Sequence, residues 1–439
     1  QCLVQPGAGA EDGVALGHDG TVVGRRTRKD VRDAGCAFGM MDPTDDGSSV
    51  GGTDSGARLK VWLPAAGAVI LLAAVVVGEW RQLFAGPQPF VFVDLDYYRT
   101  ALETVVAGEP LIAALPYPPI AVLVISPLGG LSVLIGNQVW TAVTLLVGIG
   151  LAFLFARRAL TARGVAADPV GLIARGSVAA ALLVVSVPFQ SQLENGQVTL
   201  LVTALAAVDL AGVLPRRWQG VAIGAAAAVK LLPLIFIPYY LVTGQWRRAA
   251  VATGTFGLVT GIGFALFPAD SAAFWSGLDR SNQFGEPSRA DNLSIQAAVY
   301  RWLPSLGSVR AVWLAVALVV VTLAMLRARQ HYRRGERFAS ALVVAASAVV
   351  VSPISWPHYH VWLPLVAIWL VLGSRRPRVQ LIGLGIYAAY SLPALALLDL
   401  LLGRALIDVM VAVPILIGVL GLPHLPDHPP TVAETEPAG

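Results

Sequence analysis

An all-α polytopic membrane fold is predicted by three observations. The chain of 439 residues is 56% hydrophobic and only 13% charged, with a mean hydropathy of +0.68, against about 25% charged residues in soluble domains. Apolar runs near 20 residues, long enough to cross a hydrocarbon layer of about 30 Å, recur along it. Clusters of arginine alternate with acidic or neutral connections, the charge pattern of a chain threaded repeatedly through a bilayer.

Residues 1–60 are polar, Gly/Asp-rich and without hydrophobic periodicity, so a disordered tail is expected there. Met40 and Met41 lie shortly before the first span, and residues 1–39 read as a gene-start or cloning artefact. The run from Val61 is too long for a cleaved leader. A transmembrane domain is assigned to 61–421 and a second disordered tail to 422–439. Helical runs are predicted at 61–79, 119–135, 138–156, 177–190, 198–213, 220–229, 231–243, 249–267, 309–327, 338–351, 358–373, 379–395 and 405–421, a bundle of about 12–13 transmembrane helices. The only cysteines, Cys2 and Cys36, precede them, and no metal-type Cys/His spacing exists. Lysine occurs three times against 28 arginines, a bias with Ala, Gly and Val that suggests a GC-rich actinobacterial genome.

Arg157/Arg158/Arg163/Arg175, Arg216/Arg217, Arg247/Arg248, the run 327–337 and the run 375–378 mark one side as cytoplasmic. The connections 80–118, 191–197, 268–308, 352–360 and the region near Asp399 fall on the other side. With both termini cytoplasmic, 119–135 and 138–156 cannot both cross. The segment 119–135, interrupted by Pro127 and Gly129-Gly130, is expected to be re-entrant, leaving about 12 spans. Only 24 residues, 220–243, join two arginine clusters, so they form a shallow hairpin with Lys230 near its far end. A lysine at membrane depth is costly and marks a functional position.

The ionisable residues thus gather on the face away from the arginines: Asp94, Asp96, Tyr98 and Tyr117; Glu194, Asn195 and Gln197; Lys230; Asp279, Arg280, Asn282, Arg289, Asp291, Asn292 and Arg301; Ser355, Trp356, His358 and His360. A carboxylate placed among cations and histidines at a bilayer rim fits chemistry on a membrane-anchored anionic substrate, with cations holding a phosphate and the carboxylate acting as general base. Plainer roles compete. Asp96, Glu103 and Glu109 suit the solvated side of an interfacial amphipathic helix over 96–107. Lys230 has a snorkelling alternative, Tyr117-Pro118-Pro119 a helix-boundary role, and Trp356 an interfacial-belt role. His358 and His360 also suit a solvated loop.

The stretch "DLDYYRTALETVVAGEPL" (94–111) followed by "YPPIAVLVISPL" (117–128) resembles the Asp-Leu-x-x-Tyr, Gly-x-x-Leu and Tyr-Pro-Pro signature of the polyprenyl-phosphate-sugar-dependent glycosyltransferases of family 87. "NGQVTLLVTAL" (195–205), "AAAVKLLPLIFIPYYLVTGQWRRAA" (226–250), "DNLSIQAAVYRW" (291–302) and "SPISWPHYHVW" (352–362) follow in the same order. The resemblance covers about 61–421 and implies a GT-C bundle with its site in extracytoplasmic loops. It implies Asp94 as catalytic base, and Lys230, His358, Arg289 and Arg301 on the donor phosphate. Asp96, Tyr98, Tyr117, Gln197, Asn292, Trp356 and His360 would line the substrate site. Three positions depart from the family: Tyr359 follows His358 where histidines are often paired, Asn292-Leu293-Ser294 stands for Asn-Gln-Ser, and Thr199 replaces a common Asn.

The implied reaction is inverting transfer of mannose from polyprenyl-phosphate mannose to a cell-envelope glycolipid or glycan, at the outer face of a plasma membrane. It implies no cofactor, no metal and no nucleic-acid partner. A polyprenyl-phosphate arabinose donor is the nearest rival. A transporter or flippase for lipid-linked sugars is the rival of another class; it predicts two related halves with broken helices meeting at the midplane, and no such repeat is evident.

Overall fold

A computed structural model describes residues 54–86, 92–111, 117–165, 168–277, 289, 291–391 and 404–425. Asp279, Arg280, Asn282, Asp399, both cysteines and the segments 1–53 and 426–439 lie outside these residues. The described chain is helical: α1 (Asp54–Phe84), α2 (Val93–Ala107), α3 (Val133–Ala162), α4 (Pro169–Val184), α5 (Val187–Asn195), α6 (Thr199–Leu210), α7 (Val221–Val229), α8 (Leu232–Val242), α9 (Trp246–Leu266), α10 (Pro268–Ser276), α11 (Ile295–Trp302), α12 (Val309–Arg333), α13 (Arg337–Val351), α14 (Pro357–Gly373), α15 (Pro377–Ala389) and α16 (Arg404–Leu420).

Local chemistry sets several boundaries. Ser132 caps α3 through Ile135 N at 3.4 Å, and Asp168 caps α4 through Gly171 N at 2.8 Å, with Pro169 at the first helical position. The predicted single run 177–190 is instead α4 and α5, bent by 66° at Ser186. Pro188 in the first turn of α5 starts the new helix without leaving an N–H unbonded.

Among the described residues four helices are long and apolar enough to cross a membrane on their own: α1 from Trp62, α3, α9 and α12; the bent pair α4–α5 makes a fifth. Six shorter apolar helices of 10–17 residues complete the bundle. The exposed faces of the long helices are apolar, with Ile70 68% exposed on α1, Leu258 65% on α9 and Leu318 68% on α12. Water would penalise each such side chain by about 1.5–3 kcal/mol, and hydrocarbon removes that cost. α13 and most of α14 are buried on every side and form the centre of the bundle. α1 and α3 flank α4, α3 and α15 pack on α14, and α12 packs on α13.

Residues 119–128 form a 3-10 turn, four α-helical residues and a second 3-10 turn. Ten residues reach about 15–20 Å, too short to cross, in line with a re-entrant segment. The hairpin 220–243 is also present. Arg247 bonds the carbonyl oxygens of Arg216 and Arg217, joining the two mouths of the hairpin at the arginine-rich end. Gly224 packs against Ala252, Thr255 and Phe256 of α9. Six further residues, about 9 Å, put Lys230 roughly two-thirds of the way along α9, below the rim that the sequence suggested.

Candidate functional site

Four segments meet at Lys230. α7 ends there because Lys230 takes an extended backbone conformation, φ −147° and ψ 125°, and Pro233 opens the next turn. The ammonium is buried and donates to Thr199 Oγ1 at 2.5 Å, Gln197 Oε1 at 3.4 Å and Tyr117 OH at 3.4 Å. It also lies 4.0 Å from the ring centroid of Tyr359 and 4.9 Å from that of Tyr117. Its hydrogen-bond partners are neutral oxygens and its other neighbours are π faces, contacts favourable to a cation.

Asp94 approaches from α2. Leu95, Tyr98 and Ala101 form the buried stripe of this helix, and Asp94 stands half-buried at its edge. The carboxylate lies beside Gln197 and feels the positive charge of Lys230. Burial raises its pKa above the ordinary carboxylate value, opposed by Gln197 and then by Lys230. Tyr98 OH donates to Gln197 Oε1 at 3.2 Å, so one amide links Tyr98, Tyr117, Thr199 and Lys230, with Asp94 beside it. Gly196 makes this approach feasible. It caps α5 with φ +67°, and a Cβ there would stand 2.7 Å from Leu95 Cβ.

The loop 352–360 closes another side. His358 is buried, with Nδ1 3.4 Å from Ser191 Oγ and Nε2 without a hydrogen-bond partner. His360 is bonded through both nitrogens, to Ser355 Oγ at 3.0 Å and Tyr390 OH at 3.1 Å. Asn292 Oδ1 accepts from Ser355 N at 3.0 Å. Trp356 is half-buried, and the guanidinium of Arg289 lies 5.5 Å from its ring centroid. Arg289 itself pairs with Asp291 at 2.6 Å. Arg301 is buried and pairs with Asp408 at 2.6 Å while donating to the carbonyls of Asn292 and Arg289. Asp96 lies on α2 away from its buried stripe.

The structure therefore brings Asp94, Tyr98, Tyr117, Gln197 and Lys230 into one cluster, with His358 beside it. It sets Asn292, His360 and Arg301 in the wall behind. Thr199 and Tyr359, which the sequence marked only as departures from a family pattern, are the tightest neighbours of Lys230. Asp408 and Tyr390 carried no sequence signal, since each acts through a residue more than 20 positions away.

Beside Lys230 lies a small, mainly apolar cavity of about 20 Å³, lined chiefly by Val202, Ala206, Leu232, Pro233, Phe236 and Trp362, with Thr199 and Lys230 at its polar end. A buried cation among apolar walls inside a helical bundle suits an anionic group. Among the described residues no group of three or more His, Cys, Asp or Glu side chains is arranged to hold a metal ion.

The profile of "Glycosyltransferase family 87" matches residues 115–353. A polyprenol-phosphate-mannose-dependent α-(1-2)-phosphatidylinositol mannoside mannosyltransferase of Mycobacterium tuberculosis is 30% identical over 340 residues, covering 71% of this chain and 77% of the relative. Its counterpart in Mycolicibacterium smegmatis is 29% identical over 341 residues, covering 71% and 76%. A polyprenol-phosphate-mannose-dependent α-(1-2)-phosphatidylinositol pentamannoside mannosyltransferase of M. tuberculosis is 28% identical over 334 residues, covering 72% and 75%. No solved structure matches.

Proposed function

The chain belongs to glycosyltransferase family 87 and is a membrane glycosyltransferase, and from that premise we propose that it transfers mannose from polyprenyl-phosphate mannose to a phosphatidylinositol mannoside, forming an α-1,2 linkage with inversion. The observation that carries this reading is the junction of Asp94, Gln197 and Lys230 at the polar end of a small, mainly apolar cavity. The names of the relatives supply the sugar, the acceptor and the linkage.

Lys230 holds the donor phosphate. The acceptor hydroxyl lies against Asp94, which takes its proton as the oxygen attacks the anomeric carbon. The bond from that carbon to the phosphate oxygen breaks, and polyprenyl phosphate departs with the added negative charge. Lys230 offsets that charge, assisted by the unbonded Nε2 of His358, in a setting from which water is largely excluded. Trp356 and Tyr98 flank the sugars. A monophosphate held by protein cations calls for no obligatory metal, so transfer should survive chelation; restoration of lost activity by a divalent ion would overturn that point.

We place the site on the extracytoplasmic side of a plasma membrane, with both termini cytoplasmic. The arginine clusters at the opposite end support this orientation. A cysteine at Glu109 should react with a membrane-impermeant thiol reagent in intact cells; protection there with reaction in inverted vesicles would reverse it.

The deciding experiment is an assay of membranes with radiolabelled polyprenyl-phosphate mannose and polyprenyl-phosphate arabinose in parallel. Label should pass from the mannose donor to the glycolipid, and Asp94→Asn should abolish passage while donor binding remains. Transfer from the arabinose donor alone would replace the sugar. Movement of intact lipid-linked sugar across the bilayer by Asp94→Asn would replace the class.

A further inference from the structure

α16 touches neither Asp94 nor Lys230, yet both ends of a hydrogen-bonded ring rest on it. Asp408 of α16 pairs with Arg301 at 2.6 Å and also accepts from Trp302 Nε1. Arg301 donates to the carbonyl of Asn292 at 3.0 Å. Asn292 Oδ1 accepts from Ser355 N at 3.0 Å, and Leu293 N donates to the Ser355 carbonyl at 2.7 Å. Ser355 Oγ meets His360 Nε2 at 3.0 Å, His360 Nδ1 meets Tyr390 OH at 3.1 Å, and Tyr390 OH donates to the carbonyl of Met410, back on α16.

Hydrogen counting gives this ring a direction. The Met410 carbonyl only accepts, so it takes the single hydroxyl proton of Tyr390. The Tyr390 oxygen must then accept from His360, which puts the proton of the neutral imidazole on Nδ1. Nε2 is left as an acceptor for Ser355 Oγ–H. Each member therefore has one role, and the loop between Ser355 and His360 has one position. Inside that loop sit His358 and Tyr359, the imidazole beside the cluster and the ring 4.0 Å from Lys230.

We infer that Asp408 and Tyr390 are positioning residues that set His358 and Tyr359 around the donor phosphate, with Arg301 acting through the loop and not on the phosphate itself. The inference rests on Lys230 being the donor site. It predicts a selective effect, because the ring braces the donor side of the cluster and leaves α2, which carries Asp94, untouched.

The test uses the full chain in lipid nanodiscs, with polyprenyl-phosphate mannose and phosphatidylinositol mannoside each varied in turn. Tyr390→Phe and Asp408→Asn should each raise the KM for the donor roughly five- to fifty-fold, the scale on which small misplacements act. The KM for the acceptor should change little in either; the melting temperature should hold in Tyr390→Phe and fall in Asp408→Asn, which leaves the buried Arg301 charge without its carboxylate. The double variant should fall short of the product of the two, since both release one loop. Arg301→Lys keeps the charge but loses the fork that spans Asp408 and the Asn292 carbonyl, so it should behave like Asp408→Asn. A donor KM within twofold of the parent in folded Tyr390→Phe would overturn the inference. So would donor KM, acceptor KM and melting temperature moving together in both variants, which is what a general packing role produces. Lys230→Met runs alongside. If it raises the donor KM and the ring variants do not, the positioning role alone fails. If the ring variants raise it and Lys230→Met does not, the donor site is misassigned and the ring stands.

Discussion

The two ends of the hairpin 220–243 use similar residues to opposite effect. At the arginine-rich end, Asp209 accepts from Gly220 N at 2.8 Å, Ile223 N at 3.3 Å and Tyr240 OH at 3.3 Å. Arg248 donates to Gln219 at 2.5 Å and Gln245 at 2.6 Å, and Arg247 to two backbone carbonyls. The charges of Asp209, Arg247 and Arg248 meet fixed groups that give the helix its start and the hairpin its closure. At the Lys230 end the cation has neutral oxygens and two π faces, a carboxylate stands half-buried nearby, and His358 Nε2 is unbonded. Buried polar groups are normally bonded. A closed network therefore reads as structure, and one left with spare capacity reads as a place prepared for something that arrives.

The sharpest way to break this contrast is to exchange carboxylate for amide at each end. Asp94→Asn should lower kcat by about 10²–10⁴-fold, the range of general-base catalysis, with the melting temperature preserved. Asp209→Asn should do the reverse, destabilising the protein by about 1–3 kcal/mol as it weakens the acceptor of two backbone N–H groups, while the surviving folded enzyme turns over normally. If Asp209→Asn lowered turnover as far as Asp94→Asn at unchanged stability, the division into two kinds of end would fail.

Lys230→Met should come next, with a loss of about 10²–10³-fold in kcat/KM, the scale of one preorganised charge-stabilising group. The pH profile sharpens the Asp94 role. A base must be ionised, and burial raises the Asp94 pKa, so the acid limb of kcat/KM should fall at a higher pH than an ordinary carboxylate near 3.9 would give. Activity is then lost as pH drops through that raised value. An acid limb at or below the ordinary position would argue against a buried Asp94 as the base.

Much of this architecture was legible in the residues. Hydropathy and arginine spacing located most of the helices and the hairpin, because a bilayer imposes length and charge rules that act locally; of the run 119–135 expected to be re-entrant, only 119–128 is a separate short segment, and the rest begins α3. The motif blocks likewise pointed to Asp94, Tyr117, Gln197 and Lys230. The bend at Ser186 escaped notice because α4 and α5 together read as one apolar run. The depth of Lys230 depended on how α7 packs on α9 through Gly224, a contact between segments. Asp408 and Tyr390 were invisible for the same reason: a buried partner is recognisable only once the chain has brought it back.

Gly196 tests the geometry with a smaller change. An alanine there must adopt φ +67° and meet Leu95 Cβ at 2.7 Å, a left-handed conformation costing about 1–2 kcal/mol before the clash. α2 should shift and carry Asp94 with it, so kcat should fall by more than the donor KM rises, Gln197 and Thr199 still reaching Lys230 from the next turn. A rise in donor KM with kcat intact would mean that α2 orders the donor instead.

The smallest expected effect concerns Tyr359, whose ring faces Lys230 at 4.0 Å. If the ring serves by its π face, Tyr359→Phe should be nearly silent, because the face remains. Tyr359→Leu should weaken donor binding by a few-fold to about thirtyfold, the range of a cation–π contact worth about 0.5–2 kcal/mol. The hydroxyl offers a competing explanation, since Tyr359 also lies beside Tyr117. In that case Tyr359→Phe and Tyr359→Leu should raise the donor KM equally, and Tyr117→Phe should match them. The pair of substitutions thus decides whether this end of the hairpin keeps its cation ready by π faces or by one more hydrogen bond of the kind that fills the other end.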